Sequence, residues 1–209
     1  MYFNGIRKKK LKGYSVLSDD LLVSEVKNGN EAAVEVLVKR HYNSVFSYIC
    51  RRIGDYHRAY DLTQEVFVKM LAALRKAKIK EGKFSNWLLK IAVNTCRDYF
   101  RSSCYKQLEK TSELMEGSAA SPGVISLLER KEEVKALKEA LDSLPGEQRE
   151  AIILRYYHDR KFQEIAEITG SNESTAKSRV RQGLCKLAIL LGREDEGIEG
   201  PKGNGKEIG

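Results

Sequence analysis

Between positions 172 and 187 two sets of side chains interleave at helical spacing. Ala176, Val180, Gly183, Leu184 and Leu187 recur every three or four residues and make one small, apolar face. Ser174, Lys177, Ser178, Arg181 and Gln182 fall on the opposite face. Residues of these types can read stacked bases from the groove: Arg and Lys reach guanine or a phosphate, Gln pairs with adenine, and short hydroxyl side chains near the helix start allow close approach. Asn172 is placed to cap this helix. The run Phe162, Ile165, Ala166, Ile168, stopped at Gly170, predicts a short helix before it. The pair reads as a helix-turn-helix module, with Asn172, Ser174, Lys177, Ser178, Arg179, Arg181 and Gln182 as the residues facing duplex DNA.

A second polar set lies on the helix predicted from about 85 to 102. Phe84, Trp87, Leu88, Ile91, Ala92, Thr95 and Tyr99 share its apolar phase, so Trp87 reads as core rather than as a stacking platform. Lys83, Asn86, Lys90, Asn94, Arg97 and Arg101 fall on the other side, with no carboxylate before Asp98. Such a cationic and amide ridge can track a phosphate backbone and hydrogen-bond exposed bases. On the helix before it, Asp61, Gln64 and Glu65 form an acidic edge beside the stripe Leu62, Val66, Met70 and Leu74, which Val68 and Leu71 widen. In a basic chain an acidic edge points to a protein partner.

The elements that must carry these residues are helices. Gly marks the breaks, Pro occurs three times, and no β-branched alternation is present. Ser18 and Asn28-Gly29 bracket a first helix. A second, from about 31 to 52, turns Val34, Leu37, Val38, His41, Tyr42, Val45, Phe46 and Ile49 to one side, and a third runs from about 58 to 76. Gly117 to Gly123 reads as linker, and periodicity returns at Val134, Leu137, Leu141 and Leu144 before Pro145-Gly146. The Gly-rich, apolar-poor tail beyond Leu191 predicts disorder. The fold class expected is all-α: two small helical domains joined by a flexible linker, with a basic arm at 1–17, a four-helix domain at 18–102, the linker at 103–128, a helix-turn-helix domain at 129–191 and the tail at 192–209.

Charge and composition agree with a nucleic-acid partner. The 209 residues hold 37 Lys and Arg against 29 Asp and Glu, a formal charge of +8, which draws the chain to polyanions. Enzyme chemistry finds no footing: His41, His57 and His158 are scattered, no Gly loop suits a phosphate, and no carboxylate set has metal spacing. Cys50, Cys96, Cys104 and Cys185 are far apart and read as reduced packing thiols. No apolar run approaches the roughly 20 residues of a membrane span, so a cytoplasmic protein without cofactor, metal or small-molecule substrate is expected.

The run Leu144-Pro145-x-Glu147-Gln148-Arg149-Glu150, Leu154-Arg155-Tyr156, Glu164-Ile165-Ala166-Glu167-Ile168 and Thr175-x-Lys177-Ser178-Arg179 closely resembles region 4 of bacterial sigma factors. Asp61-Leu62-Thr63-Gln64-Glu65-Val66-Phe67 looks like the part of sigma region 2 that docks on the largest polymerase subunit. Phe84-x-x-Trp87-Leu88-x-x-Ile91-Ala92-x-Asn94, followed by Asp98-Tyr99-x-Arg101, resembles that family's minus 10 recognition helix. The short link between the two regions is similar to that of the extracytoplasmic function (ECF) group. The resemblance implies a region 2-like domain, a region 4-like domain reading a minus 35 element, and no catalysis. Its implied partners are core RNA polymerase, duplex promoter DNA, the melted non-template strand and an anti-sigma factor, often membrane-anchored. It assigns polymerase contact to Asp61, Gln64 and Glu65, and the melted strand to Lys80, Lys83, Asn86, Lys90, Asn94, Arg97 and Arg101. The loop 75–83, with Ile79 and its lysines, would shape a pocket for a flipped base. Lys161 and Ser171 stand where better caps are usual, which implies a module weakened in isolation. A ligand-sensing or dimeric helix-turn-helix regulator is the alternative. Against it, a sensor domain has no need of a second DNA-facing ridge.

Overall fold

The computed structural model of the chain describes residues 16–102 and 125–192, and only the backbone of 125–131 and 133. The basic arm to residue 15, most of the expected linker and the tail from 193 lie outside the described residues. Within them every regular element is helical.

Helix α1, Asp19–Lys27, starts where the Ser18 hydroxyl accepts the Leu21 N–H. It is pinned to α2, Glu31–Ile53, through Asp19, whose carboxylate meets Arg40 at 2.6 Å and His41 Nε2 at 2.9 Å. Burial works to raise the Asp19 pKa, but the bonds from His41 and Arg40 outweigh it and hold the carboxyl below its ordinary value. Asn30 caps α2, which ends at Gly54 with φ 83°, a conformation that favours Gly. Helix α3, Tyr56–Leu74, begins on the Asp55 side chain, and α4 spans Phe84–Arg101. Leu22, Leu37, Ile49, Val66, Met70, Leu74, Phe84 and Leu88 fill the space between these four helices.

After Pro122-Gly123 the chain re-enters helix at α5, Ile125–Asp142, several residues before the expected linker end at 128. Its strong helix formers, Leu, Glu, Arg, Lys and Ala, explain why helix extends past the point where aliphatic periodicity fades. Helix α6, Gly146–Ile152, runs into a π-helical turn at Ile153–Tyr157, followed by α7, Phe162–Thr169, and α8, Glu173–Leu190. Gly170 turns the chain between α7 and α8 at φ 71°. Space is not the reason for this Gly, because an added Cβ would meet nothing. The close approach occurs at Gly183, where a Cβ would lie 2.5 Å from Ile152 Cδ1. Overpacking here costs about 1–3 kcal/mol and the helix propensity gained by Ala returns about 1 kcal/mol, so Gly183→Ala is expected to lower stability by up to about 2 kcal/mol, read as a lower urea midpoint. An unchanged midpoint would show that Ile152 yields.

Asn172 caps α8 as expected, while the start of α7 finds a substitute for the cap that Lys161 does not supply. Lys161 offers no acceptor, yet the Glu164 carboxylate takes the Lys161 N–H at 3.0 Å, which supplies half of a capping box. Ser171 is not the cap of α8. Asn172 fills that role by accepting from Thr175 N–H at 2.7 Å, while the Ser171 N–H closes α7 on the Ala166 carbonyl.

The sequence reading left the arrangement of the two helical units open, and the structure packs them together. Helix α4 lies against α7, and α2 against the π turn. One buried cluster runs through both units, from Leu22 to Val180. Consequently α4 is covered on two sides. Phe84, Leu88, Ala92 and Thr95 face the first unit's core as expected, but Asn86, Leu89, Val93 and Cys96 are also buried.

Candidate nucleic-acid interfaces

On α8 the duplex-facing set forms a continuous strip. Lys177 and Arg181 are exposed one turn apart, with Gln182 exposed next to Arg181 and Ser174 at the N-terminal end. Arg181 makes no hydrogen bond or ion pair with another described residue. Lys177 pairs with Glu173 at 2.8 Å and leans over the Phe162 ring. Ser174 Oγ donates to Asn172 Oδ1, Gln182 Nε2 donates to Ser178 Oγ at 3.3 Å and Gln182 Oε1 accepts from Gln148 Nε2 of α6 at 3.1 Å, so the strip is ordered partly by its own members and partly by α6. Arg179 differs. It turns away from the strip and pairs with Glu147 on α6, with its side chain 19 % exposed. This Arg clamps α8 to α6, because one residue beyond Ser178 is about 100° further round the helix.

The ridge of α4 is divided. Lys90, Asn94 and Arg101 are exposed, as is Lys80 in the preceding loop. Asn86 is 6 % exposed and donates to Glu164 at 2.8 Å. Arg97 is half-buried: its guanidinium forks onto Glu150 at 2.7 and 3.1 Å and also donates to the Thr169 carbonyl at 3.1 Å. Lys83 faces Glu167 at 3.5 Å. The outward ridge read from the sequence thus loses Asn86 and Arg97 to the second unit. The missed signal was present at Asn86, Leu89, Val93 and Cys96, which recur at three and four along a second stripe.

An open hollow of about 330 Å³ lies between α4 and the lysine loop, the loop to which the family resemblance assigned a base pocket. Lys78, Ile79, Lys80, Lys83, Trp87 and Lys90 line it, and Glu167 of α7 closes one side. The loop is held in place by Gly82 N–H donating to Asp20 and by Lys27 donating to the Ala77 carbonyl. Trp87 is half-buried against the core and also borders this cavity.

On α3, Asp61, Gln64 and Glu65 are exposed along one edge, with Glu65 paired to Lys69 at 2.7 Å. Val68 and Leu71, expected to widen the buried stripe, are 66 % and 37 % exposed. They extend the acidic edge at the same helical spacing, which turns it into a mixed acidic and apolar face suited to another protein. Among the described residues no helix is long and apolar enough to cross a membrane, and no His, Cys, Asp and Glu cluster could hold a metal ion.

His158 sits between the units, its Nδ1 3.4 Å from Ser44 Oγ and its ring edge-on to Tyr48. Burial, then the Arg160 and Arg51 charges, push its pKa down to about 4, with Asp159 only partly opposing. An unfolded His titrates near 6.5. Between pH 6.5 and 4 the unfolded chain binds a proton that the folded chain refuses, so stability is complete above that window and falls on acidification through it. A thermal midpoint that drops from pH 6.5 to 5 in the native chain, with a flatter profile in His158→Gln, is expected. Asp19 and Glu164, whose pKa values are lowered, withdraw their contributions only below the ordinary carboxylate range.

Comparison with known proteins places these two units together in one class. The sigma-70 region 2 family model matches residues 37–103, and the sigma-70 region 4 model matches residues 135–187. The RNA polymerase sigma factor SigV of Bacillus subtilis is 33 % identical over 158 residues, covering 74 % of this chain and 86 % of that protein. The ECF RNA polymerase sigma factor BldN of Streptomyces coelicolor is 28 % identical over 170 residues, 81 % of this chain, which spans 64 % of BldN's length. The fold is similar to that of CnrH in complex with the cytosolic domain of CnrY, with TM-score 0.60 at 23 % identity, covering 85 % of this chain and 99 % of that one. The chain belongs to the sigma-70 family of RNA polymerase sigma factors. Within that family it falls in the ECF group. Sigma factors are transcription initiation factors, not catalysts.

Proposed function

We propose that this chain is the promoter-reading subunit of an ECF-type polymerase holoenzyme, working in the cytoplasm at the nucleoid without cofactor or chemistry of its own. The observation that carries the reading is the coexistence, on one chain, of two separate cationic surfaces and one acidic and apolar face. A strip with a free Arg181 lies on α8, a lysine-lined cavity lies beside α4, and Asp61, Gln64, Glu65, Val68 and Leu71 lie on α3. The α8 strip, with Asn172, Ser174, Lys177, Ser178, Arg181 and Gln182, would read the upstream duplex element. Lys80, Lys83, Asn86, Lys90, Asn94, Arg97 and Arg101 would hold the melted non-template strand, with an unstacked base in the 330 Å³ cavity. The α3 face would dock on core polymerase. CnrH is solved with the cytosolic domain of CnrY, and a Bartonella quintana sigma factor with the anti-sigma factor NepR. An anti-sigma partner is accordingly proposed here too.

The test is reconstitution. Purified chain and core polymerase, transcribing a genomic library, are expected to give a restricted set of start sites that share upstream and minus 10 elements. Failure to bind core polymerase, together with tight duplex binding by the free chain, would favour a helix-turn-helix regulator instead.

A further inference from the structure

The α8 strip is steadied from outside its own helix at one position. Gly183 brings α8 close to α6: a Cβ there would lie 2.5 Å from Ile152 Cδ1 and 3.5 Å from Gln148 Cβ. That approach sets the Gln148 side chain beside Gln182, the exposed amide of the strip. Gln148 Nε2 donates to Gln182 Oε1 at 3.1 Å, and Gln182 Nε2 donates to Ser178 Oγ at 3.3 Å. The Gln182 amide is thus tied at both ends. Arg179, paired with Glu147 at 2.5 Å, fixes the register of the two helices next to it.

A side-chain amide has two acceptor sites on its oxygen and two N–H donors on its nitrogen. With one of each engaged, Gln182 keeps one of each. A bidentate contact to adenine needs that pair: an N–H for N7 and an acceptor for the N6 amino group. Guanine offers two acceptors along the same edge, so an amide held in this orientation meets it oxygen against oxygen. The two glutamines border an open hollow of about 470 Å³, which leaves room beside Gln182 for a base edge.

Gln148 does this at some expense to the fold. Its Oε1 is buried without a hydrogen bond, and a buried amide oxygen without a partner carries a desolvation penalty. Methionine, unbranched and of similar length, would fill the same space without that penalty. A side chain that the fold could replace to advantage calls for a role outside the fold.

We propose that Gln148 is a positioning residue for promoter reading: through its bond to Gln182 Oε1 it holds that amide, before DNA arrives, in the orientation that accepts adenine and refuses guanine. This rests on the assignment of the α8 strip to the upstream duplex. Gln148 itself need not touch DNA. Without it Gln182 must be ordered during binding, which lowers affinity for the adenine-bearing site by about twofold to tenfold, and its amide is free to turn over and admit guanine.

The test uses the reconstituted holoenzyme in four forms: native, Gln148→Met, Gln182→Ala and the double variant. Each selects closed complexes from a pool of duplexes built on a mapped promoter with its upstream element randomised, and each free chain is melted thermally. The native form is expected to prefer adenine at one position, and Gln182→Ala to abolish that preference. Gln148→Met is expected to lower adenine-over-guanine selection there about fivefold, to leave the other positions unchanged and to keep or raise the thermal midpoint. In the double variant Gln148→Met should add nothing to Gln182→Ala, because it acts only through that side chain. Undiminished adenine selection in Gln148→Met overturns the proposal, as does a further loss in the double variant. A lowered midpoint, or a loss spread evenly over the element, makes Gln148 a structural residue instead. A native holoenzyme that selects no upstream sequence overturns the assignment of the α8 strip itself, a result distinct from all of these.

Discussion

Lys177→Ala combined with Arg181→Ala is expected to weaken recognition of the upstream promoter element by about two orders of magnitude. The two changes need not contribute equally. A cation touching a base edge is worth about 1–3 kcal/mol of discrimination. Arg181 is exposed and engages no described residue, so its removal would subtract the proposed DNA contact and nothing from the fold. Lys177 must first leave Glu173 and its position over Phe162, which discounts its net gain on binding. Arg181→Ala should therefore be the larger single effect. The measurement is closed-complex formation by the variant holoenzymes on a mapped promoter and on the same duplex with a scrambled upstream element. A loss confined to the mapped promoter assigns the residues to bases, and an equal loss on both assigns them to phosphates. Arg179→Ala is the informative contrast. It breaks the clamp to Glu147, and its effect should track the stability of the second unit rather than the DNA sequence.

The helices were legible because their signals are local. Ser18, Gly170 and Asn172 each mark an end through a single side chain or a single backbone angle, and the structure ends its helices there. The α8 strip was legible for a related reason, since only the second unit is needed to build it. What periodicity could not supply was the partner of a second face. Asn86, Leu89, Val93 and Cys96 are spaced as a buried stripe, but a helix already furnished with Phe84, Leu88 and Ala92 gave no reason to look for another. Covering by a sequence-distant unit is a non-local fact. A cationic ridge and an internal salt-bridge face have the same one-dimensional pattern.

Val68 and Leu71 show the converse error. Apolar residues on an amphipathic helix were assigned inward, whereas α3 has neighbours on only part of its circumference and leaves these two in solvent beside Asp61 and Gln64. Apolar character says that burial is favourable, not that this chain supplies the cover. Exposed apolar groups at the same register as an acidic edge are thus better evidence for a docking face than the carboxylates alone.

Replacing Asn94 and Arg97 together by alanine is expected to leave closed-complex formation near normal while lowering strand opening by about tenfold or more, read by permanganate reactivity of unpaired thymines. Asn94 is exposed, so its replacement would remove the proposed base contact with little effect on the fold. Arg97 carries two roles, one toward Glu150 and one toward the strand. The two separate by comparison with Glu150→Gln, which weakens the same ion pair but leaves the guanidinium in place, so its holoenzyme should melt promoters normally. Stability provides a second discriminator. Removing Arg97 from a sealed contact would leave Glu150 short of a partner, at a cost of about 3–5 kcal/mol. If the units can part, water reaches Glu150 instead, and the penalty cannot exceed the free energy of opening. The thermal midpoint of Arg97→Ala should then fall less than that of a core truncation such as Leu88→Ala, while its radius of gyration should rise more. Normal permanganate reactivity in the double variant would remove Asn94 and Arg97 from strand capture and leave Arg97 a purely structural residue of the contact between the units.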